Sequence, residues 1–190
     1  MTRTFIAVEL GQQARAALTV VTRELAAALP GVRFVDPASL HLTLAFLGEL
    51  DGAQLDQARE ATAATAAENE PFELALAGLG VFGPRRAPRV IWAGVAGDTA
   101  RLLALQRLLA AKLATRGFAL EERQYSPHLT LARLKRPPDA SELTQLERLL
   151  NAPVVDCAPI PVDALSVMKS ELAPSGARYT CLRRLPLTRS

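Results

Sequence analysis

Two periods of apolar recurrence run along this chain, and the switches between them mark its elements. Arg3 to Leu10 is dense in Phe, Ile, Val and Leu and reads as a strand. From Gly11 to Leu29, residues Leu18, Val21, Leu25 and Leu29 fall at helical spacing, and Pro30-Gly31 closes the helix. Val32 to Val35 predicts a short strand ahead of an Asp36-Pro37 turn. Leu40 to Leu47 is the next strand, ended by Gly48. Asp51 to Glu70 is an Ala-rich helix with Leu55 and Ala58 inward. Phe72 to Phe82 alternates as a strand, and Gly83-Pro84-Arg85-Arg86-Ala87-Pro88 links it to a strand from Arg89 to Val95.

The same order then returns. Asp98 is placed to cap a helix running to Arg116, with Gly117 as its C-terminal stop. Phe118 to Glu121 predicts a short strand, and Leu129 lies within a longer one. Ser141 to Asn151 reads as helix, Ile160 to Leu172 as mostly strand, and Arg178 to Leu185 as the last strand, with loops at Arg136-Pro137-Pro138 and Pro174-Ser175-Gly176. Strand, helix, short strand, strand, helix, strand therefore occurs twice, which implies two related lobes within one domain spanning residues 1–190. The expected architecture is α+β: two mainly antiparallel sheets, each backed by helices, about a pseudo-twofold axis with a cleft between them. The terminal strands can pair within one lobe, so the lobes can interleave in sequence.

The duplication extends to chemistry. The chain has two histidines, and both stand in one phrase: Ser39-Leu40-His41-Leu42-Thr43-Leu44-Ala45-Phe46-Leu47 and Ser126-Pro127-His128-Leu129-Thr130-Leu131-Ala132-Arg133-Leu134. Aligned on histidine, they differ only at Leu40/Pro127 and Phe46/Arg133. On a strand, residues i and i+2 share a face. His41, Thr43 and Ala45 are thus expected on one side and Leu42, Leu44 and Phe46 on the other, packed on helices; His128, Thr130 and Ala132 follow suit. A lone histidine in an apolar strand is ordinarily structural, and a strand threonine is ordinarily a β-propensity choice. Matched pairs, with no other histidine, favour chemistry, because imidazole exchanges a proton near neutral pH.

Two imidazoles and two hydroxyls across a cleft suit transfer at a phosphodiester. One imidazole takes a proton from the attacking water and the other gives one to the leaving oxygen. Thr43 and Thr130 would hold non-bridging oxygens, and Arg133 would add a bidentate contact. Strict alternation sets Arg133 on the face opposite His128, so it reaches the phosphate only if the strand bends or ends near Ala132.

Composition narrows the field modestly. The net charge of +3 and pI near 9.2 fit a nucleic-acid or nucleotide substrate without demanding one. Arg85, Arg86 and Arg89 form a basic loop, read first as solvated and second as an RNA contact; Trp92 and Tyr179 read as core or cleft-wall residues rather than base-stacking platforms. Cys157 and Cys181 have neither metal-ligand nor disulfide spacing and read as buried thiols. No metal site, Gly-rich phosphate loop or Ser/His/Asp arrangement is apparent. No apolar run reaches the roughly 20 residues of a membrane span, and Glu9 interrupts the N-terminal apolar stretch, so the expected location is cytoplasmic.

His41-Leu42-Thr43-Leu44 and His128-Leu129-Thr130-Leu131 resemble the paired His-x-Thr-x motifs of the 2H phosphoesterases. Arg3-Thr4-Phe5-Ile6-Ala7-Val8, Leu44-Ala45-Phe46-Leu47-Gly48, Ser126-Pro127-His128 with Arg133, and the closing Ser170-Glu171-Leu172, Gly176, Tyr179 and Leu185-Pro186-Leu187 are similar to the bacterial and archaeal RNA 2′,3′-cyclic phosphodiesterases, first named 2′-5′ RNA ligases. The resemblance covers essentially the whole chain. It implies a bilobal fold that opens a terminal 2′,3′-cyclic phosphate to a 2′-phosphate without metal or cofactor. It further implies His41 as proton donor to the 3′ oxygen, His128 as proton acceptor for water, Thr43 and Thr130 on the phosphate, and Arg133 assisting. The residues alone do not distinguish donor from acceptor. Tyr125 has no expected role. The implied partners are RNA ends or nucleotides with a 2′,3′-cyclic phosphate, with no membrane involved, and a monomer is the default. Reversible joining of such an end to a 5′-hydroxyl is the same chemistry with a ribose hydroxyl in place of water. Alternatives are a related phosphodiesterase acting on 2′-5′ oligonucleotides or small cyclic nucleotides, and a non-catalytic nucleotide- or RNA-binding module.

Overall fold

A computed structural model describes residues 1–121, 124–152, 158–173 and 176–188, with the backbone alone at 172, 173 and 176. Its strands are β1 (Thr2–Glu9), β2 (His41–Leu50), β3 (Phe72–Phe82), β4 (Val90–Gly97), β5 (Leu129–Arg133), β6 (Pro159–Val162), β7 (Ala164–Ala173) and β8 (Gly176–Pro186). Its helices are α1 (Gln12–Ala28), α2 (Gly52–Ala67), α3 (Thr99–Ala114) and α4 (Ala140–Leu150). The strands form two four-stranded sheets, β2-β1-β7-β8 and β5-β4-β3-β6, in which every pairing is antiparallel. The fold class is α+β, as the patterning indicated.

The first sheet combines the start and end of the chain, and the second takes the middle. The crossing falls inside the run expected as one strand from Ile160 to Leu172. Pro159–Val162 joins the second sheet, and after Asp163 the chain enters the first. Asp163 is held at this switch: its carbonyl accepts from Leu187 N–H at 2.8 Å, and its carboxylate takes Arg184 at 2.9 Å.

Helices cross between the sheets as well. Helix α2 lies on β1, β2, β7 and β8 with α3 beside it, whereas α1 packs on α4 and β6 and α4 on β3. One continuous apolar core results, running from Ile6, Val8 and Leu42 through Leu18, Leu25, Leu105 and Leu109 to Ile91, Leu129 and Leu131. Each such fully buried aliphatic side chain contributes roughly 1.5–3 kcal/mol. A second, small cluster of Phe5, Ala7 and Met168, with Tyr179 against it, covers the opposite face of the first sheet.

Local signals explain most boundaries. Asp51 and Asp139 each head a helix with a reciprocal cap, to Gln54 and Glu142 respectively. Asp98 stands at the N-cap of α3 without a side-chain capping bond. Gly117, at φ +81°, ends that helix as expected, and Phe118 N–H reaches back to Leu113 at 3.2 Å.

Three sequence expectations fail locally. Val32–Val35 makes only one bridge, Phe34 to Ala132, and leads into a 3₁₀ turn at Pro37–Ser39. Phe118–Glu121 forms no strand, because its first residue is used to close α3. Gly48 does not end β2, which continues to Leu50, because glycine accepts the φ of +74° where the register with β1 shifts. Cys157 and the Pro174-Ser175 loop lie outside the described residues. Cys181 is exposed rather than buried: it lies on edge strand β8, opposite Met168.

Candidate active site

The motif phrases lie at outer strands of their sheets, with His41 opening β2 and His128 one residue before β5, and these two strands adjoin. Each carries the same irregularity. In β2, Thr43 pairs with Ala7 and Ala45 with the next residue back, Ile6, so Leu44 is extra. In β5, Thr130 pairs with Trp92 and Ala132 with Ile91, so Leu131 is extra. Such a bulge puts two residues opposite one and re-phases the strand beyond it. Leu44 and Ala45 are both buried, as are Leu131 and Ala132.

The carbonyls thrown out of the ladder by the bulges are satisfied from elsewhere. Gln106 Nε2 of α3 donates to Leu44 O at 3.3 Å, and Val35 N–H donates to Leu131 O at 2.7 Å.

The bulges correct the expected faces. Ala45 and Ala132 turn to the core instead of lying beside histidine and threonine. Phe46, expected against helices, is 43% exposed with the Arg3 guanidinium 4.9 Å from its ring centre. Arg133, expected opposite His128, comes to the histidine face. It pairs with Val90, Val90 pairs with Phe82, and the Phe82 ring lies 4.8 Å from that of His128.

Each imidazole is held the same way. His41 Nδ1 lies 2.9 Å from Ser39 O, and His128 Nδ1 lies 2.8 Å from Ser126 O. A carbonyl oxygen only accepts, so Nδ1 carries a proton in both rings, which leaves each Nε2 as the site that gains or loses one. Aromatic rings wall both. Phe5 stacks on His41 at 4.6 Å, and Tyr179 meets it edge-on at 4.8 Å. Phe82 meets His128 edge-on, and Trp92 stands 6.4 Å from it. Trp92 and Tyr179 are therefore wall residues. Burial lowers the pKa of His41 below 6.5, opposed by the bond to Ser39 and by the Glu9 carboxylate.

Thr43 and Thr130 stand two residues beyond the histidines, each half-buried. The rows that contain them run Thr43–Ala7–Ser166 and Thr130–Trp92–Gly80. Trp92 lies so flat on Gly80 that a Cβ there would meet its Cζ2 at 2.2 Å. The exposed Arg85, Arg86 and Arg89 form a solvated hairpin loop next to Arg133. Among the described residues, no three His, Cys, Asp or Glu side chains converge as a metal site. Nor is any helix there long and apolar enough to cross a membrane.

Sequence reasoning missed Phe5, Phe82, Glu9 and Tyr125. Tyr125 donates from its hydroxyl to Thr43 O at 2.9 Å, tying the approach to the second motif onto the first; burial pushes its phenol pKa well up. Its position three residues before His128 was the available signal. The other three required the cross-strand register.

Two sheets that each present a histidine and a threonine at the start of a bulged outer strand define the two-histidine class of α+β proteins, the 2H phosphoesterases. The chain belongs to the 2′-5′ RNA ligase superfamily, whose family model matches residues 26–173. An RNA 2′,3′-cyclic phosphodiesterase from Methanothermobacter thermautotrophicus is 35% identical over 178 residues, 94% of this chain and 95% of its own. One from Geobacillus stearothermophilus is 42% identical over 129 residues, 68% of this chain but 41% of that longer protein. Among solved structures, TT0787 of Thermus thermophilus is similar with a TM-score of 0.83 and 31% identity over 97% of both chains. Escherichia coli LigT in complex with 3′-AMP is similar at 0.75 and 25% identity over 99% of both.

Proposed function

We propose that this chain is an RNA 2′,3′-cyclic phosphodiesterase, working as one two-lobed unit that opens a terminal cyclic phosphate to a 2′-phosphate. The observation that carries this reading is the matched presentation of two imidazoles, each fixed through Nδ1 to a serine carbonyl with Nε2 left for chemistry. His128 Nε2 accepts a proton from water as its oxygen attacks phosphorus. The bond from phosphorus to O3′ breaks on the opposite side, and His41 Nε2 donates the proton that O3′ requires. The products are a 2′-phosphate and a 3′-hydroxyl, with one proton taken up and one given. Thr43 and Thr130 donate to the non-bridging oxygens, and Arg133 neutralises their charge from the same face.

The substrate is an RNA end, and the relatives' names support this. A ribose 5′-hydroxyl attacking in place of water forms a 2′-5′ bond by the same route. Neither proton transfer uses a metal.

Turnover of a nucleoside 2′,3′-cyclic phosphate in excess EDTA tests the reading. Wild type is expected to turn over, and His41→Ala and His128→Ala each to lose about 10²–10⁴-fold. No turnover by wild type, or turnover that survives both substitutions, would overturn it.

A further inference from the structure

The two lobes match in backbone but not in what surrounds each histidine. Glu9 pairs with His41, Val8 with Leu42 and Ala7 with Thr43. In the second lobe Ala93 pairs with Leu129 and Trp92 with Thr130, where the ladder ends; the residues next in line are Gly94 on β4 and His128 just before β5. Glu9 therefore corresponds to Gly94 and Ala7 to Trp92. Across the next ladder, Ala7 pairs with Ser166 and Trp92 with Gly80, so Ser166 corresponds to Gly80. Where the first lobe has Glu9, Ala7 and Ser166, the second has Gly94, Trp92 and Gly80.

Each set fills its space consistently. In the first lobe the small Ala7 leaves room on the sheet face, and the Ser166 hydroxyl donates a short hydrogen bond to Glu9 Oε1. In the second, the Trp92 indole occupies that room: a Cβ on Gly80 would clash with it outright, and one on Gly94 would meet Gly78 O at 3.2 Å and Trp92 Cζ3 at 3.4 Å. A side chain at Gly94 would therefore be crowded by the Gly78 carbonyl and the indole.

We infer that Glu9, anchored by Ser166, is a positioning residue that breaks the two-fold equivalence of the lobes and makes His41 the proton donor. A negative charge on the same sheet face favours the imidazolium, the form a donor must hold before reaction. The described groups facing His41 are Glu9 on β1, Ser166 on β7, and Tyr179 and Cys181 on β8. Glu9 is the charged one among them. Arg184, in register with Ser166, is engaged with Asp163. Asp36, Glu171 and Arg178 line a cavity of about 410 Å³ together with Ser39 and Tyr179, and the charge that acts on His41 is the Glu9 carboxylate. The Glu9 contribution to the His41 pKa is upward, against the larger effect of burial.

The inference rests on the proposed donor role of His41, and its test separates the two. A chain with two histidines gives two imidazole Hε1 resonances, which the His41→Ala and His128→Ala variants assign. In Glu9→Gln, an isosteric change that keeps an acceptor for Ser166, the His41 midpoint is expected to fall by roughly half a unit or more. The His128 midpoint is expected to stay. Glu9→Asp, which retains the charge, is expected to restore most of the shift. In kcat/KM, the limb that reports His41 is expected to move acidward in Glu9→Gln by the same amount as the His41 midpoint, with the other limb fixed. An unmoved His41 midpoint, equal movement of both histidines, or equal movement of both limbs would overturn the inference. Absence of cyclic-phosphate turnover by wild type would remove the phosphodiesterase reading, and the titration would still report whether Glu9 acts on His41 alone.

Discussion

A carbonyl oxygen 2.8–2.9 Å from Nδ1 is a small feature, but it decides what each histidine can do. It fixes the tautomer and directs proton exchange to Nε2. For His41, burial then lowers the pKa, so the protonated donor form is lost as pH rises through a value below 6.5. In the free enzyme, the kcat/KM limb that reports His41, identified by its movement in Glu9→Gln, is accordingly expected below pH 6.5. In the complex, reported by kcat, the substrate's phosphate charge favours the imidazolium and that limb is expected at higher pH. Paired pH–rate profiles check this, and a His41 limb at the same pH in both would contradict it. The threonines were readable beside the histidines, because period-two spacing sets i and i+2 on one face. Thr43→Val and Thr130→Val are each expected to lower kcat by about 10–100-fold while the fold stays intact, since each removes one donor to developing charge.

The bulges in β2 and β5 show what spacing alone could not tell. Alternation held from His41 to Thr43 and from His128 to Thr130, then failed one residue later in both copies. A bulge is set by cross-strand register and by outside partners for the freed carbonyl, here Gln106 and Val35, which no local pattern reveals. The helix ends, by contrast, were written locally, as the capping boxes at Asp51 and Asp139 show. In α4 the cap is reinforced: nearly buried Glu142 takes a two-pronged contact from Arg136 at 2.7 and 2.8 Å. Together with the Asp139 backbone bond, that contact pulls its pKa from 4.5 to about 2. A depressed carboxylate stabilises the fold fully above its unfolded pKa and loses that contribution as pH falls toward its folded value. Thermal midpoints measured from pH 6 to 2 are expected to drop between about 4.5 and 2, and Glu142→Gln to lower the midpoint at pH 6 and flatten that dependence. On β3, Gly80→Ala forces the Trp92 indole off its seat, and is expected to lower kcat by displacing a wall of His128. Unchanged kcat together with unchanged Trp fluorescence would contradict this.

The whole chain is organised to bring two distant copies of one phrase to adjoining strands. Its repeat was visible in the sequence, and so was the chance of interleaving. The switch at Asp163 was not, because Pro161 and Asp163 mark a weak point in Ile160 to Leu172 but only pairing partners assign its halves to different sheets. Tyr125 spans the two halves directly through its bond to Thr43 O. Tyr125→Phe removes that bond and leaves a carbonyl unpaired, so a cost of about 1 kcal/mol is expected. A fall in melting temperature of roughly 2–4 °C should follow. A several-fold loss in kcat is expected with it, since the bond fixes one motif relative to the other.

The reaction itself is tested most directly by running cyclic-phosphate opening in H₂¹⁸O with EDTA and reading the product by ³¹P NMR and mass spectrometry. In-line attack by water with O3′ leaving gives a 2′-phosphate carrying one ¹⁸O, formed by wild type and not by His41→Ala or His128→Ala. A 3′-phosphate product, or a 2′-phosphate formed equally well without either imidazole, would contradict the paired-histidine mechanism.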